Sequence, residues 1–508
     1  MHLLRFHRVH SSSPTRSVPY DNTSDLRLRK ALGVFAIMAS AVTQEYGAGI
    51  NFVAVQSLGV YPQVMDLVAL AMFVTGILVL AKAILFAEFS RAMPTSGSAY
   101  AWIARSLGVR TAFVSNFIWW LGVTSAMGFL AYAFGTFLGQ ACSSVGLPIG
   151  AAIRSPSGHV ICGLIAIWAI FAVHASGVHS YGRFVTVLFW LAVAVAVTVV
   201  SFGFANDHAV FLARVQQQTG LTLQPPAVLP TFSFASFFGV CGLFIFAYGG
   251  LSAAPVLGGE SRNARTAMPR AIYLAWFVAL VLFTAVSAAL FHAAPWWAMI
   301  GLIHSKHAAY ATAPGLVGVL APPAVSAILN FAVAIIVGKT LAPQIMCASR
   351  MAFAWGRDGL FSARFARTNA SKAPTPALAL VCGLGSLFLL ESAYIGWSLG
   401  VVVRSLSVLL VWLLVAASAL HLRFAARFAN VGWCQRLRGS AITLVAALAS
   451  IVITVVLFKN VAVSPHTPLI FQPLFQGAVM AVVAMLLLWT AKRRGTDLDR
   501  VVKSLPVE

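Results

Sequence analysis

Twelve apolar runs of about 18–25 residues recur along the 508-residue chain, and they limit the fold more than any other feature. They lie near residues 32–58, 64–90, 111–140, 159–175, 181–204, 232–258, 269–292, 322–350, 375–391, 394–420, 440–459 and 470–491, the fourth short and weak. Each is long enough to cross a hydrocarbon layer as a helix, which satisfies its own backbone where no water is present. Only 9% of the residues are charged, against about 25% in a soluble domain, and the mean hydropathy is +0.88. The chain reads as an all-α integral membrane protein.

The net charge of +22, from 34 Lys and Arg against 12 Asp and Glu, would suit a nucleic-acid binder if the cations were clustered on one domain. They are distributed by loop instead. Twenty-seven, including Arg91, Arg105, Arg110, Arg262, Arg265, Arg350, Arg357, Lys492 and Arg493, fall in segments that share one side of a twelve-span chain. Four lie in the opposite loops (Arg154, Arg214, Lys306, Lys459), and Lys82, Lys339 and Arg404 fall inside apolar runs. That asymmetry is the positive-inside pattern, so an even number of spans and two cytoplasmic termini are expected, in the plasma (inner) membrane. Residues 1–28 read as a polar cytoplasmic tail without an apolar h-region, so the first span is expected to anchor itself uncleaved. Residues 492–508 read as the other cytoplasmic tail. The six cysteines have no paired spacing and suit packing; neither a metal site nor a cofactor is expected.

Two runs are interrupted. Val42–Phe52 places Glu45, Gln44, Gly47 and Gly49 in mid-membrane, and Phe244–Ser252 places Gly249 and Gly250 there. Glycine tolerates unwound backbone and close approach. A broken helix exposes free N–H groups at one half and free carbonyls at the other, so it can hold groups of either charge. Glycine kinks used only for packing are the alternative. Interruptions at corresponding places in two five-span halves point to a binding site between inverted repeats. Pro94 is expected to end the second span and Ser98 to cap the amphipathic piece after it. The loops at 205–230 and 294–320 are long enough for short helices.

These pieces together resemble the amino acid–polyamine–organocation permeases: the Tyr46–Ile50 break, Glu88 with Pro94-x-Ser96-Gly97-x-x-Tyr100, and the Phe246–Gly250 break. Glu260-x-x-Asn263 with Pro269-Arg270-Ala271-Ile272, and Arg350 with Arg357-Asp358-Gly359, complete the match over spans one to ten. The resemblance implies a LeuT-like fold of 5+5 inverted repeats with helices 1 and 6 broken and 12 transmembrane helices in all. Its transporter core would cover residues 29–425, with repeats near 32–204 and 232–420, followed by two more spans in 426–491. It also implies substrate contacts from Tyr46, Gly47, Ala48, Gly49 and Ile50, whose N–H groups would face a carboxylate. Phe246, Ala247, Tyr248 and Gly249 would offer carbonyls to an ammonium. Tyr46, Phe246 and Tyr248 suit a gate or the plain aromatic lining of a helix interface equally well.

The sequence departs from the family twice. Ser252 stands where many members carry an acid, and residues 184–204 lack the Lys that some sodium-independent members place in span five. Lys339, however, lies eleven residues before Arg350, or roughly 16 Å along span eight, near mid-membrane. An ionisable group there is costly, hence a functional candidate. Glu45 is its obvious partner, and a Lys339–Glu45 or Lys339–carbonyl strut is the structural alternative. Lys82 is expected to snorkel to the cytoplasmic side; Arg404 has Glu391 as a candidate partner, and the sequence leaves its role open. The expected function is alternating-access transport of amino acids or related amines, without sodium and with protons as the candidate coupling ion. An amino acid/polyamine exchanger and a non-transporting amino-acid receptor are the alternatives. No nucleophile elbow, P-loop or zinc spacing suggests an enzyme.

Overall fold

A computed structural model describes residues 30–498 except Ala48, Phe246, Lys306, 308–309, 395–397, 426–431, 462–468 and 470–471. In chain order it begins with α1 (Val34–Glu45), a π-helical turn (Gly49–Val53), α2 (Ala54–Val60) and α3 (Val68–Ala92). Next come α4 (Ser98–Leu107), α5 (Val109–Ser144), α6 (Ile149–Ile153), α7 (Pro156–Ala175), α8 (Val178–Phe204) and α9 (His208–Thr219). The middle of the chain forms α10 (Phe234–Phe244), α11 (Gly250–Ala253), α12 (Ala264–Ala293), α13 (Trp296–Ile303) and α14 (Ala313–Leu320). It continues as α15 (Pro323–Lys339), α16 (Leu341–Arg357), α17 (Thr375–Tyr394) and α18 (Ser398–Phe424). It closes with α19 (Gln435–Gly439), α20 (Ala441–Val461) and α21 (Pro473–Arg493).

Ten of these segments, counting α15 and α16 as one, are long and apolar enough to cross a membrane. The runs at 32–58 and 232–258 do not count among them because each is broken into short helices. In α5, 83% of the most apolar stretch is buried, against 17% in α21. So α5 lies along the axis of the bundle and α21 on its rim. α1 packs between α8 and α12 and against α16, while α3 runs along α12. That arrangement brings the first break, the second break and the α15–α16 junction to one place.

Helix ends follow local chemistry. Pro156 sits in the first turn of α7, where its missing N–H costs nothing, and the Ser155 hydroxyl accepts the Gly158 N–H at 3.0 Å. α3 stops at Ala92, with Met93 out of the helical region (φ −145°, ψ 76°) before Pro94. Ser98, expected as a cap, is not one: its hydroxyl makes no hydrogen bond, and Thr95 instead accepts the Gly97 N–H at 3.3 Å. The tight 95–98 turn holds Ser98 at φ +46°, and no side chain caps α4, whose N-cap is Gly97. The two long loops carry α9, and α13 with α14, as their length suggested. The six cysteines are free thiols.

Candidate functional site

The first break begins where α1 runs out of partners. The Tyr46 N–H still bonds the Val42 carbonyl at 2.7 Å, but the Gly47 N–H turns to Glu45 at 3.0 Å. The Thr43 and Tyr46 carbonyls thereby lose their helical donors, at the negative end of the helix. The Lys339 ammonium donates to both, at 2.9 and 3.0 Å, and the residue is only 2% exposed. Asn51 takes the Gly47 carbonyl through its side-chain amide at 2.9 Å and its own N–H at 3.3 Å. Lys339 reaches this place because its helix ends there. Pro343, four residues on, has no N–H for the Lys339 carbonyl and would clash with it, so the chain turns at Thr340 before α16 begins.

The second break mirrors the first. α10 ends at Phe244, and after a turn through Tyr248 and Gly249 the chain coils again as α11. The freed Leu251 N–H donates to Glu45 Oε1 at 3.0 Å. The Tyr248 carbonyl accepts from the Lys82 ammonium at 3.3 Å. Gly250 permits this contact: a Cβ there would collide with the Ala41 carbonyl oxygen and lie 2.7 Å from Glu45 Cγ. Main-chain groups released by both breaks are thus held by three buried charged side chains from neighbouring segments: Lys339, Lys82 and Glu45.

The other expected site residues gather around this pair. Tyr46, Tyr248 and Ile50 are fully buried, and Ala247 is nearly so. The Tyr46 and Tyr248 rings pack on the same ring of α12, Phe283, with centroids 6.2 and 5.2 Å away. Tyr248 donates its hydroxyl to the Met72 carbonyl at 3.4 Å, whereas the buried Tyr46 hydroxyl makes no hydrogen bond. Gly49 opens the π-helical turn. Ala48 and Phe246 lie outside the described residues.

Two expectations about charges are corrected, and the candidate pair for Arg404 does not form. Lys339 and Glu45 form no ion pair, because the Lys339 ammonium is taken up by carbonyls and Glu45 by a backbone N–H. Lys82 does not snorkel: it is fully buried, since its chain is drawn to the Tyr248 carbonyl and lies 6.0 Å from the Trp412 ring. Arg404 makes no ion pair with Glu391; it is 2% exposed and lies 5.3 Å over the Trp119 ring, a cation–π contact. Thr340, against Gly47, went unnoticed in the sequence, and only the Pro343 spacing hinted at a turn there.

A second polar junction lies at the end of the bundle that carries residue 30. Glu260 and Arg350, each about 1% exposed, form a double hydrogen-bonded ion pair with contacts of 2.8 and 3.4 Å. The Glu260 carbonyl also accepts the Ala31 and Leu32 N–H groups at 2.9 Å, and the Arg262 N–H returns to Leu32 at 3.1 Å. Nearby, Tyr100 donates to Asp358 at 3.0 Å and so joins two of the motifs singled out above. Burial, then the Asp358 carboxylate, holds that phenol well above its usual range.

Membrane-length helices packed around two interrupted ones, with their loose backbone ends brought together in the interior, form the body of a multi-pass membrane transporter rather than an enzyme. The chain belongs to the amino acid permease family, whose model matches residues 31–486. It is 26% identical over 355 residues to the branched-chain amino acid permease BcaP of Lactococcus lactis subsp. cremoris (strain MG1363), covering 68% of this chain and 70% of that one. It is 24% identical over 355 residues to the methylthioribose transporter of Bacillus subtilis (strain 168), covering 68% and 71%.

Proposed function

We propose that this chain is a sodium-independent secondary transporter of amino acids that works by alternating access. In this reading it has twelve spans, with the inverted halves near 32–204 and 232–420, and both termini in the cytoplasm. The single observation that carries it is the Lys339 ammonium, 2.9 and 3.0 Å from the Thr43 and Tyr46 carbonyls. Two carbonyls at a helix C-terminus make a cation site, and here a tethered cation fills it. The N–H groups that follow Gly47 in the first break would meet the substrate carboxylate, and the carbonyl of Ala247 in the second its ammonium.

Charge supports one substrate class over the other. Among the described residues, Lys82, Lys339 and Arg404 are buried in the interior without an ion pair, and Glu45 is the one carboxylate at the breaks. Such a positive surplus favours a carboxylate-bearing substrate and opposes a polyamine. Buried Ile50 and Phe283 suit an apolar side chain, in keeping with the branched-chain permease among the relatives.

The test begins with a thermal-shift screen of the twenty amino acids, spermidine and methylthioribose. The best binder is then followed into liposomes by wild type and Lys339→Met, with sodium or choline outside and with an imposed pH gradient. Uptake by wild type that is equal in choline, and lost or made sodium-dependent in Lys339→Met, is expected. Sodium-dependent wild-type uptake overturns the coupling scheme, and unchanged uptake by the variant makes Lys339 a structural strut. Binding without uptake would make the protein a receptor.

A further inference from the structure

At the end of the bundle that carries α4 and the last turn of α21, a groove of about 590 Å3 opens between α5, α18 and α21. Its wall is apolar, with Ile118 on α5, Leu410 and Leu414 on α18, and Leu488 on α21. Its mouth is cationic: Arg110 in the first turn of α5 and Lys492 in the last turn of α21, both exposed. No Asp or Glu stands among the described residues that line it. We propose that this groove holds one acyl chain of an anionic phospholipid, with the lipid phosphate between Arg110 and Lys492.

Each part of the groove excludes other occupants. A small soluble anion has no use for the leucine wall, and an uncharged apolar molecule has none for the two cations. A zwitterionic lipid would bring its own cation toward Arg110 and Lys492. An anionic amphiphile satisfies both halves at once. The depth is suitable: Ile118 lies eight residues into α5 from Arg110, roughly 12 Å along the helix. Level with the mouth, the exposed Trp489 ring stacks on Arg493 at 3.6 Å, the pairing of an amphipathic ring and a cation expected where tails meet headgroups. α21 joins the bundle mainly through α5 and α18, the helices that form the groove, so a chain lying in it seals the seam of the rim helix.

The test uses the full-length protein in detergent and native mass spectrometry. Dioleoyl phosphatidylglycerol, dioleoyl phosphatidylcholine and inorganic phosphate are added separately. Retention of one phosphatidylglycerol per chain is expected, with phosphatidylcholine lost. Arg110→Gln combined with Lys492→Gln should weaken that retention about thirty-fold while leaving the lipid-free melting temperature in place. Leu414→Trp, which fills the groove, should remove it as well; if that variant does not fold, the charge variant decides alone. Equal retention of phosphatidylcholine, or retention unmoved by the charge variant, overturns the proposal. So does stabilisation by inorganic phosphate as large as that by phosphatidylglycerol.

Discussion

At Gly47 a single added methyl group would sit 2.5 Å from Thr340 Oγ1, yet 3.5 Å from Thr340 Cβ. The clash is therefore with the hydroxyl alone, and it lies where the first break meets the α15–α16 turn. We expect Gly47→Ala to weaken substrate binding about tenfold or more, as overpacking of a tight site costs roughly 1–3 kcal/mol. Adding Thr340→Ala should restore most of it, since the contact becomes ordinary. Titration of the two variants checks this, and a double variant as weak as the single one would show that Gly47 needs its backbone freedom. Gly250 offers the contrast. There the obstacle is the Ala41 carbonyl oxygen, which no side-chain truncation removes, so Gly250→Ala should have no such rescue.

Among elements, α16 carries the second closure. Arg350 ties it to Glu260, whose carbonyl also holds the N–H groups at the entrance to α1. Removing one member of a pair that is about 1% exposed leaves an uncompensated buried charge, at a cost of about 3–5 kcal/mol. Arg350→Met should therefore lower the melting temperature sharply. Arg350→Met with Glu260→Gln should be less damaged than Arg350→Met alone, because the orphaned charge is gone. Equal melting of the single variant and wild type would mean that Glu260 finds another partner. Pro343 shows a different kind of element effect: it ends α15 at the residue whose ammonium the first break uses.

For the whole molecule, the testable quantity is topology. With the native cysteines replaced, His304→Cys in the exposed turn after α13 should react with an impermeant maleimide in intact cells. Glu508→Cys at the far end of the chain should react only after permeabilisation. The reverse pattern would refute the charge-based orientation.

Membership of a helical membrane class was decided by sequence alone, because any run of about twenty apolar residues in lipid must satisfy its backbone by coiling. The two interrupted runs were equally legible, since glycines cluster in mid-run at corresponding places, Gly47 and Gly49 beside a carboxylate and an amide, and Gly249 and Gly250 in the sixth run. That Lys339 lies at membrane depth could also be counted along its helix. What the tertiary structure alone decided is which buried charge meets which freed backbone group. Sequence spacing paired Lys339 with Glu45 and sent Lys82 and Arg404 elsewhere, because it matches charge with charge. In the folded bundle the stronger demand comes from main-chain groups stripped of helical partners. Lys339 goes to Thr43 and Tyr46, Lys82 to Tyr248, and Glu45 to Leu251, residues from 166 to 296 positions apart in the chain. Only the packing of α1 against α11 and α16, and of α3 beside α11, brings those groups within reach.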